Sequence, residues 1–133
     1  MPFHPFERDQ FWKLLPLVVW CSVIFAFSEM PGSGLDIVPS VWYILERKSA
    51  HVFEYAVLTF LSYRFFVAVY PRETFARVAA LVLCFGLAYG ALDEFHQSFV
   101  FGRGARFTDV LVDGLGTVLA LMLISLLQKR VGK

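Results

Sequence analysis

The chain has 133 residues with a mean hydropathy of +0.63, and 58% of its residues are hydrophobic while only 17% are charged. Soluble domains carry roughly 25% charged residues, so this composition excludes an ordinary globular domain and indicates a helical membrane protein. The formal net charge of +1 and the dispersed basic residues argue against nucleic acid as a partner.

Four apolar segments predict an all-α bundle of four transmembrane helices. They cover approximately residues 11–28, 49–70, 75–92 and 108–127. At about 20 residues per crossing, they leave only short connections, so we expect a single integral membrane domain over residues 1–133. A signal peptide is an alternative for the first segment, because Arg8 and Lys13 accompany a short apolar core that ends in small residues at Ala26 and Ser28.

The connection after the first segment contains Pro31, Gly32, Gly34 and Pro39, which predict a turn. The amphipathic residues 41–45 follow this turn, and we expect them to form a short helix or loop at the membrane interface, where Trp and Tyr are favoured. The second crossing is predicted to begin after this segment.

Small residues in the third and fourth segments predict close helix packing. Gly86 and Gly90 are four residues apart in the third segment, and Gly116 and Ala120 repeat that spacing in the fourth. Such patterns let two helices approach closely. The sequence leaves open whether the approach occurs within one chain or in a homodimer.

The distribution of cationic residues predicts the orientation of the bundle. Eight Lys and Arg residues fall on the side of the two termini and the second connection, and four fall on the opposite side. Because cytoplasmic loops carry the excess of Lys and Arg, we expect both termini in the cytoplasm.

Polar and charged residues cluster at the outward end of three predicted helices. Residues three, four and seven apart share a helix face, and this spacing relates Lys48, His51 and Tyr55 in the second helix. The same spacing relates Asp109 and Asp113 in the fourth. The end of the third helix adds Asp93, Glu94 and Gln97. Ionisable groups are costly in hydrocarbon, so the cluster predicts either an outward-facing functional pocket or a purely structural network of ion pairs.

Four sequence elements resemble the VanZ-like family of small bacterial membrane proteins. They are residues 48–55 (KSAHVFEY), residues 93–99 (DEFHQSF), Gly102 with Arg103, and residues 109–116 (DVLVDGLG). The resemblance implies a multi-pass protein of the bacterial cytoplasmic (inner) membrane, with a common polar core. That core comprises Lys48, His51, Tyr55, Asp93, Glu94, Gln97, Arg103 and Asp109.

The resemblance also suggests a role at the cell envelope. The namesake of the family is linked to teicoplanin resistance, which implies an antibiotic-resistance function. Asp113 departs from the pattern, because the family often has Asn at this position. This substitution adds an ionisable group to the cluster.

Three kinds of chemistry fit these residues. The first is an enzyme that acts on an envelope lipid or glycopeptide precursor, with His51 or Glu94 as general base and Asp93 and Asp109 as further candidate catalytic residues. The second is a protein that binds or shields an anionic, lipid-linked precursor without changing it. For the enzyme and for the binding protein alike, the candidate ligand-binding residues are Lys48, Tyr55, Gln97, Arg103 and Asp113.

The third kind of chemistry is a divalent metal site. Its weak ligand candidates are His51, Glu54, Asp93, Glu94 and Asp109. No other cofactor is expected. Membrane lipids are expected partners, because four aromatic residues flank the cluster and could line an entrance for acyl chains. These residues are Phe95, Phe99, Phe101 and Phe107.

Overall fold

The protein folds into four helices, each antiparallel to the next, in a computed structural model that describes residues 7–31, 40–103 and 106–131. The helices are α1 (Arg8–Ser28), α2 (Val41–Val69), α3 (Phe75–Gln97) and α4 (Phe107–Val131). All four are long and apolar enough to cross a membrane. This architecture confirms the all-α class and the four predicted membrane-crossing helices.

Local sequence signals explain where three of the helices begin. Glu7 and Gln10 form a capping box at the start of α1. Ser40 Oγ accepts a hydrogen bond from the backbone N–H of Tyr43 (3.2 Å), and Thr74 Oγ1 accepts one from Arg77 (3.4 Å). These side chains satisfy N–H groups that the first turn of a helix leaves without partners.

All four helices extend beyond the predicted segments, and the largest extensions are at the start of α2 and the end of α3. α2 begins at Val41 instead of near residue 49, because Ser40 caps it and no Pro or Gly interrupts residues 41–50. Residues 41–45 therefore form the first turns of α2 and not a separate interfacial helix, and Trp42 is 77% exposed there. α3 continues to Gln97 instead of ending near residue 92. The predicted turn at 32–39 lies outside the described residues.

α2 is the central helix of the bundle. It packs against α1, α3 and α4, and α3 also packs against α4. The backbones of α2 and α4 come close together at Gly116, where an added Cβ would lie 2.7 Å from the carbonyl oxygen of Val52. Gly86 and Gly90 of α3 lie against α4 side chains. The small residues thus serve packing within one chain.

Two apolar clusters fill the bundle between its ends. One joins α1 to α2 through Leu17, Ile24, Tyr55 and Leu58. The other joins α2, α3 and α4 through Tyr63, Val78, Val82 and Leu121. Large apolar side chains remain exposed along all four helices, which is the pattern expected of helices that face lipid.

The two ends of the bundle differ in chemistry. At the end where α2 and α4 finish, two side-chain hydrogen bonds join different helices among the described residues: Gln10 Nε2 donates to the Ala68 carbonyl (3.1 Å), and Gln128 Nε2 donates to Tyr63 (2.8 Å). At the other end, α1 and α3 finish and α2 and α4 begin. We call this the polar end, because it holds the charged residues singled out in the sequence.

The contact at Gly116 predicts that this position does not tolerate a side chain. Gly116→Ala forces α4 away from α2, so we expect a loss of about 1–3 kcal/mol of unfolding free energy, as for other overpacked contacts. Thermal unfolding of the purified protein measures the effect. Gly114→Ala is the matched control, because its Cβ would meet only the flexible end of Leu87. Equal stability of the two variants would contradict the close approach.

Candidate functional site

The polar end encloses a cluster of buried polar side chains from α2, α3 and α4. Each of the six is at most 7% exposed. They are His51, Asp93, Glu94, Gln97, Asp109 and Asp113. The structure thus brings together residues that the sequence placed on three separate helices.

Asp109, near the start of α4, contacts two cationic side chains near the start of α2. Its Oδ2 lies 2.9 Å from Arg47 Nη2, and its Oδ1 lies 3.3 Å from Lys48 Nζ. The two cationic side chains are 25% and 40% exposed, whereas Asp109 is buried. The sequence analysis missed Arg47 as a site residue. It lies four residues before His51, so helical spacing could have placed it on the same face.

His51 and Asp113 form a second link between α2 and α4, one helical turn deeper. His51 Nδ1 lies 2.9 Å from Asp113 Oδ1, and Asp113 is fully buried. Sequence reasoning assigned Asp113 to ligand binding, but here one of its oxygens holds the imidazole ring. This contact orients the His51 ring through Nδ1. The other ring nitrogen, Nε2, has no hydrogen-bond partner among the described residues.

The end of α3 is fixed to the start of α4. Glu94 Oε2 accepts a hydrogen bond from the backbone N–H of Arg106 (2.7 Å). One turn apart on the same helix, Gln97 Nε2 donates to Asp93 Oδ2 (2.9 Å). Each of the four predicted catalytic residues has at least one partner: Asp109 contacts two cations, Asp93 accepts from Gln97, Glu94 accepts from the Arg106 backbone, and His51 contacts Asp113. His51 Nε2 and the second oxygens of Asp93 and Glu94 have no hydrogen-bond partner among the described residues, so these atoms are the candidate proton acceptors.

Other predicted residues lie around this cluster. Tyr55 is fully buried, with its hydroxyl near Gly90. Arg103 Nη2 donates to the carbonyl oxygen of Phe27 (3.0 Å), so it ties the loop before α4 to the end of α1. His96 lies apart from the cluster, where its Nε2 is 2.5 Å from Glu29 Oε1.

The buried cluster contains oxygen atoms that find no hydrogen-bond donor among the described residues. They are Asp93 Oδ1, Glu94 Oε1, Gln97 Oε1 and Asp113 Oδ2. A buried polar atom without a partner costs about 1–3 kcal/mol. Carboxylate and amide oxygens only accept hydrogen bonds. The buried Tyr55 hydroxyl, a donor, also has no partner among the described residues, but one hydroxyl cannot satisfy four acceptors. The arrangement is therefore short of donors or cations.

Three of the five candidate metal ligands converge. One ligand atom from each of His51, Glu94 and Asp109 lies within 4.8 Å of the others. Asp93 and Glu54 do not belong to this group. The Glu54 backbone carbonyl accepts a hydrogen bond from Trp20 Nε1 (2.9 Å). The buried trio is compatible with a divalent cation, and the other two candidates stand outside it.

Comparison with known proteins gives one result that bears on this site. A family model described as VanZ/LLP1 matches residues 11–128, a range that includes every member of the buried cluster. Neither a curated protein nor a solved structure matches the chain.

The His51–Asp113 contact predicts strong energetic coupling between α2 and α4. In a double-mutant cycle of His51→Ala and Asp113→Ala, we expect a coupling energy of about 1–3 kcal/mol, because both groups are buried and each loses its partner. The exposed pair Arg77–Glu73, also 2.9 Å apart, is the control and should couple by less than about 0.5 kcal/mol. Chemical unfolding measures both cycles. Coupling no larger than in the control would contradict the contact.

Proposed function

The chain belongs to the VanZ/LLP1 family, and from that premise we propose that it recognises an anionic envelope lipid or lipid-linked precursor at its polar end. Under this proposal the polar end faces the outside of the bacterial inner membrane, and both termini lie in the cytoplasm. The excess of cationic residues on the side of the termini supports this orientation. A reporter fused to the C-terminus that registers an extracytoplasmic location would contradict it.

Partly exposed cations at the rim of the cluster support an anionic ligand. Lys48 and Arg47 each reach Asp109 with one nitrogen, and Arg103 reaches Phe27 with one. A guanidinium has five N–H donors and an ammonium has three, so each side chain keeps donors for a further partner. Phosphate and carboxylate groups are the ligands that such donors bind most strongly.

Aromatic side chains beside these cations support a ligand with a lipid tail. The four Phe residues that flank the cluster in the sequence are 64–81% exposed in the structure. They are Phe95, Phe99, Phe101 and Phe107. A head group held by the rim cations would place its acyl or prenyl chain against these rings, which suits a ligand that arrives from the bilayer.

The unpaired acceptor oxygens carry the proposal, because they separate it from a purely structural ion network. A network that serves only stability satisfies all of its members, and replacement by apolar packing is often neutral or stabilising. Here buried oxygens of Asp93, Glu94, Gln97 and Asp113 have no donor among the described residues. A ligand that brings hydroxyl or amide donors, or a cation, would supply what the protein's own side chains do not.

Catalysis is a second candidate, favoured by the orientation of His51. An imidazole that is held by a buried carboxylate and lies beside a second acid has the arrangement of a positioned general base. In this version the protein hydrolyses or transfers a group of the precursor that it binds. Binding would shield the precursors that glycopeptide antibiotics target, and catalysis would alter them, so either version would account for a resistance function.

Binding of a polyprenyl pyrophosphate to the protein in nanodiscs tests the proposal. Arg103→Ala removes one charge-assisted contact, so we expect roughly tenfold weaker binding, equivalent to about 1.4 kcal/mol. The control is Arg64→Ala, because Arg64 lies over the Phe60 ring, far along α2 from the polar end. The uncharged polyprenol serves as the control ligand. Equal binding of both lipids by the wild type would contradict recognition of the anion. A change in the mass of the bound lipid would identify catalysis.

A further inference from the structure

We propose that the polar end holds one divalent transition-metal cation, such as Zn²⁺ or Mn²⁺, on His51, Glu94 and Asp109. This inference goes beyond the proposed function, because the cation needs no lipid ligand to bind. The three residues come from three helices and are buried, and one ligand atom of each lies within 4.8 Å of the others.

The imidazole of His51 is oriented as metal-binding imidazoles are. Asp113 Oδ1 lies 2.9 Å from Nδ1, and no described residue bonds Nε2. A neutral imidazole that donates its Nδ1–H to a carboxylate carries its free lone pair on Nε2. Metal ligands of this type almost always have such a carboxylate, carbonyl or water partner, which fixes the tautomer and makes the nitrogen a better ligand.

Glu94 gives an independent indication of a missing partner. Its Oε2 is held by the Arg106 backbone, but its Oε1 is buried without a donor, and the residue is only 4% exposed. A bound cation would satisfy this oxygen. Asp109 can take part as well through Oδ2, which has a second lone pair beyond its contact with Arg47, whereas Oδ1 accepts from both Lys48 and Thr108.

The charge of the cluster favours a cation with two positive charges. Four carboxylates are buried at the polar end, namely Asp93, Glu94, Asp109 and Asp113. Apart from His51, the cationic side chains that contact them among the described residues are Arg47 and Lys48, both on Asp109. If all four acids are ionised, two negative charges are left without a partner, and such charge is costly inside a membrane. One divalent cation would neutralise them.

The ligand set points to a transition metal. Imidazole suits Zn²⁺ and other transition metals, whereas Mg²⁺ and Ca²⁺ prefer oxygen ligands alone. Metal–ligand bonds of about 2.0–2.2 Å place two ligands of a tetrahedral ion about 3.3–3.6 Å apart. The ligand atoms of the trio lie within 4.8 Å of one another, so they would draw together by up to about 1.5 Å around the ion. Three protein ligands leave a further position for water or for a phosphate oxygen.

Metal titration of the full-length protein tests this inference. The purified chain is stripped with a chelator and titrated with Zn²⁺ or Mn²⁺, and bound metal is counted by mass spectrometry. We expect one ion per chain and a rise in thermal stability. His51→Gln and Glu94→Gln should each weaken binding by at least about tenfold, the loss typical even of residues that only support a ligand. Glu94→Gln keeps an oxygen for the Arg106 N–H, so the fold is expected to survive.

Two matched controls distinguish the trio from neighbouring groups. His96→Gln removes a histidine that pairs with Glu29 outside the cluster, and Glu54→Gln removes a carboxylate outside the trio. Both variants should bind metal as the wild type does. The inference is overturned if the stripped wild type takes up neither ion saturably, or if His51→Gln and Glu94→Gln bind as tightly as the wild type. Lipid binding measured in the presence of a chelator is a separate result. It tests the proposed function and not the metal site.

Discussion

The fold depends on one physical constraint: charged groups inside a membrane need ion-pair or hydrogen-bond partners. Two contacts meet this demand between α2 and α4: Asp109 with the cations at the start of α2, and Asp113 with His51 one turn deeper. Further along α4, Gly116 brings the two backbones together at Val52. The same seam therefore carries polar contacts and close packing, so the positions of His51, Asp109 and Asp113 are fixed by the helix pair that bears them.

The sequence could predict much of this arrangement, because helical spacing fixes which residues share a face. It gave four crossings, the stripe of Lys48 and His51, and the pair of Asp109 and Asp113. Spacing within one helix says nothing about the register between helices. For that reason spacing could not single out Asp113 as the carboxylate that pairs with His51. Arg47 lies four residues before His51, so helical spacing could have placed it at the site. The sequence also did not predict the early start of α2, because the aromatic residues in 41–45 are compatible with a membrane interface as well as with a helix.

The candidate site has two layers of opposite character. Partly exposed cations form the rim, and buried acceptor oxygens without donors lie beneath them. An anion alone would pair with the cationic side chains of the rim and leave the deeper oxygens without hydrogen-bond donors. A cation on the trio alone would satisfy Glu94 Oε1 among the deeper oxygens and leave the rim donors free. The two proposals are therefore complementary: a metal ion in the lower layer could present an open position to a phosphate held by the upper one.

The central claim is that the buried oxygens at the polar end require a partner from outside the chain. A crystal structure of the wild-type protein in lipid, with anomalous scattering to locate metal ions, tests this most directly. The account predicts a non-protein atom in contact with His51 Nε2 and the Glu94 carboxylate. Donors of the chain itself bonded to all of these oxygens, or His51, Glu94 and Asp109 in unconnected surroundings, would contradict it.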